Sequence, residues 1–536
     1  MPLTLAEEWT ISKVHLRYYL CTTSMSKRSR AFDLMLPIRE PGTPIYRWLY
    51  TGLRRGILEG KLHPGFRLPG TRDLAVQYGL SRGTIVNAFE QLKSEGYLEG
   101  RIGAGSYVSK VLPDILLEVP SNTGVLIPRP AKRRRRISRY AQQVRPFPVF
   151  EIRSSRAFRA NVPALDLFPI TLWAQITARR LRRASTSMLL GCGPMGYQPL
   201  REAISEYLTT SRGVKCAPAQ IAIVSGVQEA LDVAARLFLN PGDRVCMENP
   251  GYIGAARVFQ SVGATICPAP VDHEGMKLQA SSLRGSRLVY VTPAHQFPLG
   301  TTMSLSRRLE LLEWARRSDA VVFEDDYDSE FRYSGRPIPA LQGLDRAGQV
   351  LFAGSFSKVL FPSLRLAYLV FPEDLVGRVE TMRSVTSRHP PLLEQAVLTE
   401  FITGGHFGRH LRRMREIYSE RLSTLVESAR QKLAGLLEIS TIEAGLQTVG
   451  WLAEGIDDNS AARAAAARNI EAIPLSLYHR GRMSREGLQL GFAAVDKREI
   501  RRGVEDLAIA LEEQSRLCRN RSLRGHLLDP SASPGM

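Results

Sequence analysis

The chain has 536 residues, 72 Lys+Arg against 52 Asp+Glu, and a formal net charge of +20. Its 44% apolar and 23% charged content is that of an ordinary soluble globular protein with material for a large core. The length allows roughly two to four domains, and no run approaches the roughly 18 apolar residues of a membrane span.

The first 25 residues include Glu7, Glu8, Lys13 and Arg17 and no unbroken apolar stretch, so no secretory signal is expected. The six cysteines (Cys21, Cys192, Cys216, Cys246, Cys267 and Cys518) form no C-x-x-C and have no histidine at metal spacing. No metal site is expected, and free thiols in a reducing cytoplasm are. The charge is uneven: residues 1–150 hold 24 Lys+Arg and 11 Asp+Glu. A basic excess suggests a polyanionic partner at that end.

In chain order, residues 1–36 read as a disordered extension in which Met25 offers an alternative start. A module follows over 37–110. In residues 44–59, Ile45, Leu49, Leu53, Ile57 and Leu58 form one helical stripe, ended by Gly60 and His63-Pro64-Gly65. Thr71 is placed to cap a short helix through Ala75 and Val76, and Gly79 makes a tight turn. Ser81 caps a second helix that buries Ile85, Ala88, Phe89 and Leu92. Two short helices joined by a glycine turn predict a helix-turn-helix, with Arg82, Thr84 and Asn87 facing outward. Tyr97-Leu98-Glu99, a turn over 101–105 and Ser106–Ser109 predict a hairpin whose glycines permit close approach to a sugar-phosphate backbone.

This ordered set resembles the winged helix of GntR-type bacterial repressors. The resemblance implies DNA contacts by Arg72, Ser81, Arg82 and Thr84, with Gly105 in the wing.

Residues 111–155, with the run Lys132-Arg133-Arg134-Arg135-Arg136 among several prolines, read as a semi-extended basic linker. It is either a solvated spacer or an added phosphate contact.

From 156 to 514 strands and helices alternate. Leu288–Val291, Ala320–Phe323 and Val350–Ala353 are apolar runs expected as buried strands of a mostly parallel α/β sheet. Ligands in such sheets sit at the carboxyl ends of strands. Ser225-Gly226-Val227 opens a helix, where free N–H groups suit a phosphate. Asn249-Pro250-Gly251-Tyr252 can lay an aromatic ring on a flat heterocycle. Glu324-Asp325-Asp326-Tyr327-Asp328 offers a carboxylate for a protonated ring nitrogen and a phenol for a ring oxygen. In Ser355-Phe356-Ser357-Lys358, a buried lysine at a strand end can lose its proton and act as a nucleophile. Ser355, Ser357 and Arg365 supply phosphate donors. The tail over 515–536 reads as disordered.

Together, and with GYQPLREAI, TPAHQFPLG and SFSKVLFPSLRLAY, these stretches resemble fold-type I aminotransferases. The resemblance implies an α/β main domain with a mostly parallel sheet, a smaller C-terminal α+β subdomain, and pyridoxal 5′-phosphate (PLP) as cofactor. Lys358 is the implied Schiff-base lysine. Asp325, with Asp326 the alternative, meets the pyridine nitrogen. Tyr327 meets the ring hydroxyl and Tyr252 stacks on the ring. Gly226, Val227, Ser355, Ser357 and Arg365 hold the phosphate.

A winged helix, a basic linker and an aminotransferase-like domain in one chain resemble the MocR family of regulators. That implies an operator DNA partner, an amine or vitamin B6 effector, a head-to-tail homodimer, and no membrane association. The alternative is an active aminotransferase with a DNA-binding appendage. Three departures bear on the choice. Gln489 stands where the enzymes have an arginine for the substrate carboxylate, with Arg480, Arg482 and Arg485 as possible substitutes. Phe297-Pro298-Leu299-Gly300 replaces Asn-Pro-Thr-Gly. Cys192 replaces a tyrosine that reaches the neighbouring subunit. An effector other than an α-amino acid is therefore expected.

Overall fold

A computed structural model describes residues 36, 38–40, 42–101, 104–112, 136–146, 156–334, 339–440, 442–481 and 483–526, and of 518–526 the backbone alone. They belong to two units that divide between Arg134 and Arg135. The expected extension through residue 35, the run 132–135, the turn at Ile102-Gly103 and residues 527–536 lie outside the described residues.

In the smaller unit, α1 (Ile45–Leu58) packs on α3 (Arg82–Ser94) through Leu49, Leu53 and Ile57. Ile45 and Leu58, expected on the same stripe, are 41% and 44% exposed. They occupy the two end turns of α1, beyond its buried stretch. Between these helices lies α2 (Thr71–Tyr78). Its N-cap is Gly70, without a side-chain cap, so Thr71 is a first-turn residue rather than the expected cap. α2 runs through Tyr78 before Gly79 ends it at φ +63°, a left-handed C-cap that suits glycine. Ser81 Oγ accepts the Thr84 N–H at 3.1 Å and starts α3, which buries Ile85, Ala88, Phe89 and Leu92 as expected. β1 (Leu98–Arg101) and β2 (Gly105–Val108) pair antiparallel, Leu98 opposite Val108 and Arg101 opposite Gly105.

The larger unit begins with a correction to the linker. Residues 139–143 form a helix, α4 (Arg139–Gln143), rather than an extended spacer. Ser138 Oγ accepts the Ala141 N–H at 3.1 Å and nucleates it. α4 packs against the helix Ile253–Ser261.

An eight-stranded sheet follows, in the order β3 (Ile221–Val224), β10 (Ala367–Val370), β9 (Val350–Ser355), β8 (Val321–Asp326), β7 (Ser286–Val291), β4 (Arg244–Asn249), β5 (Thr265–Asp272), β6 (Gly275–Met276). β9, β8, β7, β4 and β5 are parallel, and β10 is antiparallel to both neighbours. The three apolar runs predicted as strands lie within or against β7, β8 and β9. Helices on both faces bury them, which is why they read as continuous apolar stretches rather than alternating ones.

A smaller antiparallel sheet holds β11 (Leu437–Ile439), β12 (Gln447–Leu452), β14 (Gly487–Gly491) and β13 (Ile473–Pro474) in that order. The last helix, Lys497–His526, continues twelve residues beyond the expected start of a disordered tail at 515. The stretch contains no proline, and ion pairs one turn apart, Arg502–Asp506 and Arg516–Glu512, suit a helix.

One buried ion pair ties the sheet to the helix Gln198–Arg212. Arg212 Nε lies 2.8 Å from Asp326 Oδ2, and both side chains are buried. Removing one member of such a pair strands the other charge, at a cost of about 3–5 kcal/mol. Arg212→Leu is therefore expected to lower the urea midpoint of the larger unit substantially, and Arg212→Leu/Asp326→Leu to recover much of the loss. Equal midpoints for wild type and the single variant would refute this reading.

Candidate functional site

The carboxyl ends of β3, β4, β8 and β9 open on one cavity of about 440 Å³, lined by Asn161, Gly226, Val227, Tyr252, Asp325, Tyr327, Ser355, Ser357, Lys358 and Arg365 among others. All nine residues expected to hold a cofactor thus meet in one place, although more than 130 positions separate Gly226 from Arg365 in the chain.

Lys358 stands on the one-turn helix Phe356–Val359 that follows β9, not on the strand end itself. Its Nζ donates to the carbonyl of Asn161 at 2.7 Å. Burial pushes its pKa down to about 8, against the pull of Asp328 and Asp325. A lysine so placed is far more often a free amine than one at the surface.

β8 separates the two adjacent aspartates by its pleat. Asp325 faces the cavity, where burial raises its pKa to about 7, and its Oδ2 accepts from Tyr290 Oη at 2.7 Å. Asp326 points to the other face and pairs with Arg212. The choice left open by sequence is made by the two-residue period of a strand.

Tyr327 Oη lies 3.0 Å from His295 Nδ1, which is itself 2.9 Å from Asp328 Oδ1. Tyr252 caps the helix Ile253–Ser261, and its Oη accepts from Gln228 Nε2 at 2.9 Å.

At the other end, Gly226 is the N-cap of the helix Val227–Phe238, at φ +149°. A Cβ there would lie 3.0 Å from the guanidinium of Arg365. Only glycine leaves that cradle open beside a cation and free helix N–H groups. Ser355 and Ser357 line the same end, with Ser355 Oγ accepting the Ser357 N–H at 3.2 Å. A dianion cradle, a buried carboxylate and a desolvated amine in one cavity fit the groups of PLP.

Sequence reasoning missed Asn161, Tyr290, Gln228 and Tyr478. Tyr290 lies in a predicted strand, but its contact with Asp325 depends on β7 pairing with β8, which strand order alone decides.

The departures are now concrete. Gln489 lies on β14, fully buried; its Oε1 accepts from Tyr478 Oη at 2.8 Å and its Nε2 has no partner among the described residues. The expected arginine substitutes are corrected. Arg485 pairs with Glu438 at 2.9 Å and covers the Trp451 ring, and Arg480 lines a different cleft. Arg482 lies outside the described residues. Phe297 lines the cavity, whereas Cys192 does not; its N–H donates to His389 Nε2 at 3.2 Å, and burial raises its thiol pKa.

In the smaller unit Arg72, Ser81 and Arg82 are exposed at the starts of α2 and α3. Neither arginine is engaged in an ion pair with a described residue. Thr84 is half-buried and its hydroxyl meets Ser81 Oγ at 2.8 Å. Gly105 is exposed on the wing at φ +105°, with Arg67 Nε 3.5 Å from where a Cβ would stand. Arg67 and Arg101, the latter stacked over Tyr107 at 4.6 Å, are two wing cations that the motif did not single out.

Residues 158–507 match the family model "Aminotransferase class I and II", and residues 45–108 match "Bacterial regulatory proteins, gntR family". The chain is 39% identical over 482 residues to the probable rhizopine catabolism regulatory protein MocR of Rhizobium meliloti, covering 89% of this chain and 97% of that one. It is 29% identical to the pyridoxine biosynthesis transcriptional regulator PdxR of Corynebacterium glutamicum, covering 86% and 94%. Among solved structures, the kynurenine aminotransferase of Pyrococcus horikoshii superposes with a TM-score of 0.64 at 28% identity, over 70% of this chain and 97% of that one. The chain therefore belongs to the MocR-type branch of the GntR regulators, in which a winged helix is joined to an aminotransferase class I and II domain.

Proposed function

We propose that the protein binds operator DNA through α3 and the wing and reads an amine or B6-type effector at Lys358. The observation that carries this is the desolvated lysine, buried carboxylate and open phosphate cradle of one cavity, in a chain that also exposes Arg72 and Arg82 on a gntR-type module. PLP is the cofactor. When bound, it supplies an aldehyde that condenses reversibly with primary amines. Lys358 would be its covalent anchor and Asp325 would hold the ring nitrogen's proton. Tyr252 would cover the ring, with Tyr327 at its hydroxyl. Gly226, Val227, Ser355, Ser357 and Arg365 would hold the phosphate by charge-assisted hydrogen bonds.

Regulation follows if an effector favours one arrangement of the two units over another, since only differential binding shifts such an equilibrium. A head-to-tail homodimer would present two winged helices to repeated half-sites. Exposed Leu189 and Leu190, at 75% and 85%, are apolar surface that a partner copy could cover. The regulator reading is favoured over an active aminotransferase because Gln489 offers no charge to a substrate carboxylate, and no neighbouring arginine of the loop that is described lines the cavity.

Three outcomes are expected. First, Lys358→Ala abolishes the visible absorbance of the holoprotein, and wild-type Lys358 captures added PLP faster as pH rises through about 8. The sign follows from the lowered pKa: the free amine fraction grows above 8 rather than above 10.5. A capture rate that is flat until pH 10 would contradict it.

Second, Arg72→Ala and Arg82→Ala each weaken operator binding by about 1–3 kcal/mol if they read base edges, and less with a smaller salt slope if they contact phosphates. Fluorescence anisotropy at stated salt measures both. Unchanged affinity and slope in the double variant would remove α2 and α3 from the interface.

Third, in matched pairs of an α-amino acid and its decarboxylated amine, the amine perturbs the holoprotein spectrum at the lower concentration, and Gln489→Arg reverses the order. A wild-type preference for the amino acid would overturn the effector assignment.

A further inference from the structure

A second cleft, of about 660 Å³, lies against the first, and Tyr252, Ile253, Leu477 and Tyr478 line both. Three arginines from separate parts of the larger unit reach it. Arg145 comes from the segment that follows α4, Arg257 from the helix Ile253–Ser261, and Arg480 from the loop before β14. None of the three is in an ion pair with a described residue, although arginines elsewhere in the unit commonly are. The one acid in the lining, Glu248, is buried, its Oε2 is taken by Thr292, and burial raises its pKa to about 7. At neutral pH it is only partly ionised, and it makes no ion pair with any of the three arginines.

The loop is held, not free. Arg480 N–H donates to Asn249 Oδ1 at 2.7 Å, and Asn249 Nδ2 donates to the Arg480 carbonyl at 3.1 Å. These two bonds fix which way the Asn249 amide points. Its Nδ2 therefore also donates to His479 Nε2 at 3.2 Å, so the hydrogen of a neutral His479 sits on Nδ1. That Nδ1 is buried and has no partner among the described residues. A buried donor left unmet is destabilising. Burial and the like charge of Arg257 both disfavour the Arg480 cation. Unpaired cations lining one cleft beside an unmet donor suit an acceptor with more than one negative oxygen.

We propose that this cleft is a second ligand site, separate from the cofactor cavity, that binds a small multivalent oxyanion through Arg145, Arg257, Arg480 and His479. Phosphate and polycarboxylates share that chemistry. Because Arg145 arrives on the 136–146 segment, bound anion fastens α4 onto the aminotransferase-like domain. In sequence, that segment lies between the winged helix and the aminotransferase-like domain. The inference stands on the cleft alone and does not depend on the amine-sensing reading.

The test is calorimetric titration of PLP-saturated full-length protein with inorganic phosphate and, separately, citrate, at constant ionic strength. One saturable site is expected for at least one of them, and which one binds identifies the ligand type. Arg257→Gln and Arg480→Gln should each weaken it at least about tenfold, with the visible absorbance and melting temperature unchanged. Arg145→Gln, on an exposed segment, should weaken it without any risk to folding, and exposed Arg413→Gln should have no effect. Hydrogen exchange at the α4 amides should slow when the anion is added, and this protection should vanish in Arg257→Gln. No saturable binding of either anion, or equal binding by wild type and the Arg145, Arg257 and Arg480 variants, would overturn the proposal.

Discussion

The cofactor cavity depends on removing Lys358 and Asp325 from water at the carboxyl edge of a parallel sheet. Desolvation acts on the two groups in opposite directions, lowering the pKa of the amine to about 8 and raising that of the acid to about 7. Each neighbour then has a definite task. The Asn161 carbonyl takes the lysine hydrogen bond, and Tyr290 holds the acid. Asp326 would add a second buried negative charge beside Asp325, but the pleat sends it to Arg212, which neutralises it. The Arg212–Asp326 pair is therefore a structural part of the site although neither residue lines it.

The two ends of the cavity differ in chemistry. Arg365, Ser355 and Ser357 line one end beside the open N-terminus of the helix Val227–Phe238, while Gln489, expected in place of the enzymes' arginine, is a buried amide engaged with Tyr478. A fork of charged hydrogen bonds cannot be replaced by one neutral amide. Charged donors are thus placed at one end and a neutral amide at the other.

Much of this was legible in sequence. Where a local rule acts alone, the reading held: Ser81 caps α3, and its apolar residues at i, i+3, i+4 and i+7 are buried. Lys358, Asp325 and Arg365, which line one cavity, each sit in a dense local motif. Where a neighbour decides, local rules failed. Ile45 and Leu58 fit the periodicity of α1 but lie in its exposed end turns. Arg480 and Arg485 lie on the right loop, yet one turns to a second cleft and the other to Glu438 and Trp451. The helix past Gln514 was missed because its polar composition resembles a solvated tail, while its ion pairs form only once the helix exists.

Sequence by itself determined the two modules, the order of their elements, the candidate lysine that the cavity encloses and the displacement of most basic excess toward the N-terminal quarter. Those properties follow from periodicity, caps and short motifs, which act over a few residues. Tertiary structure decided which of two adjacent aspartates faces the cavity, which tyrosine holds it, and which arginines are left without carboxylates. These are set by strand order and by the pleat, which bring together residues far apart in the chain. The physical reason is the same in each case: a side chain's charge and hydrogen-bonding state depend on what surrounds it, and only the packed sheet assembles those surroundings.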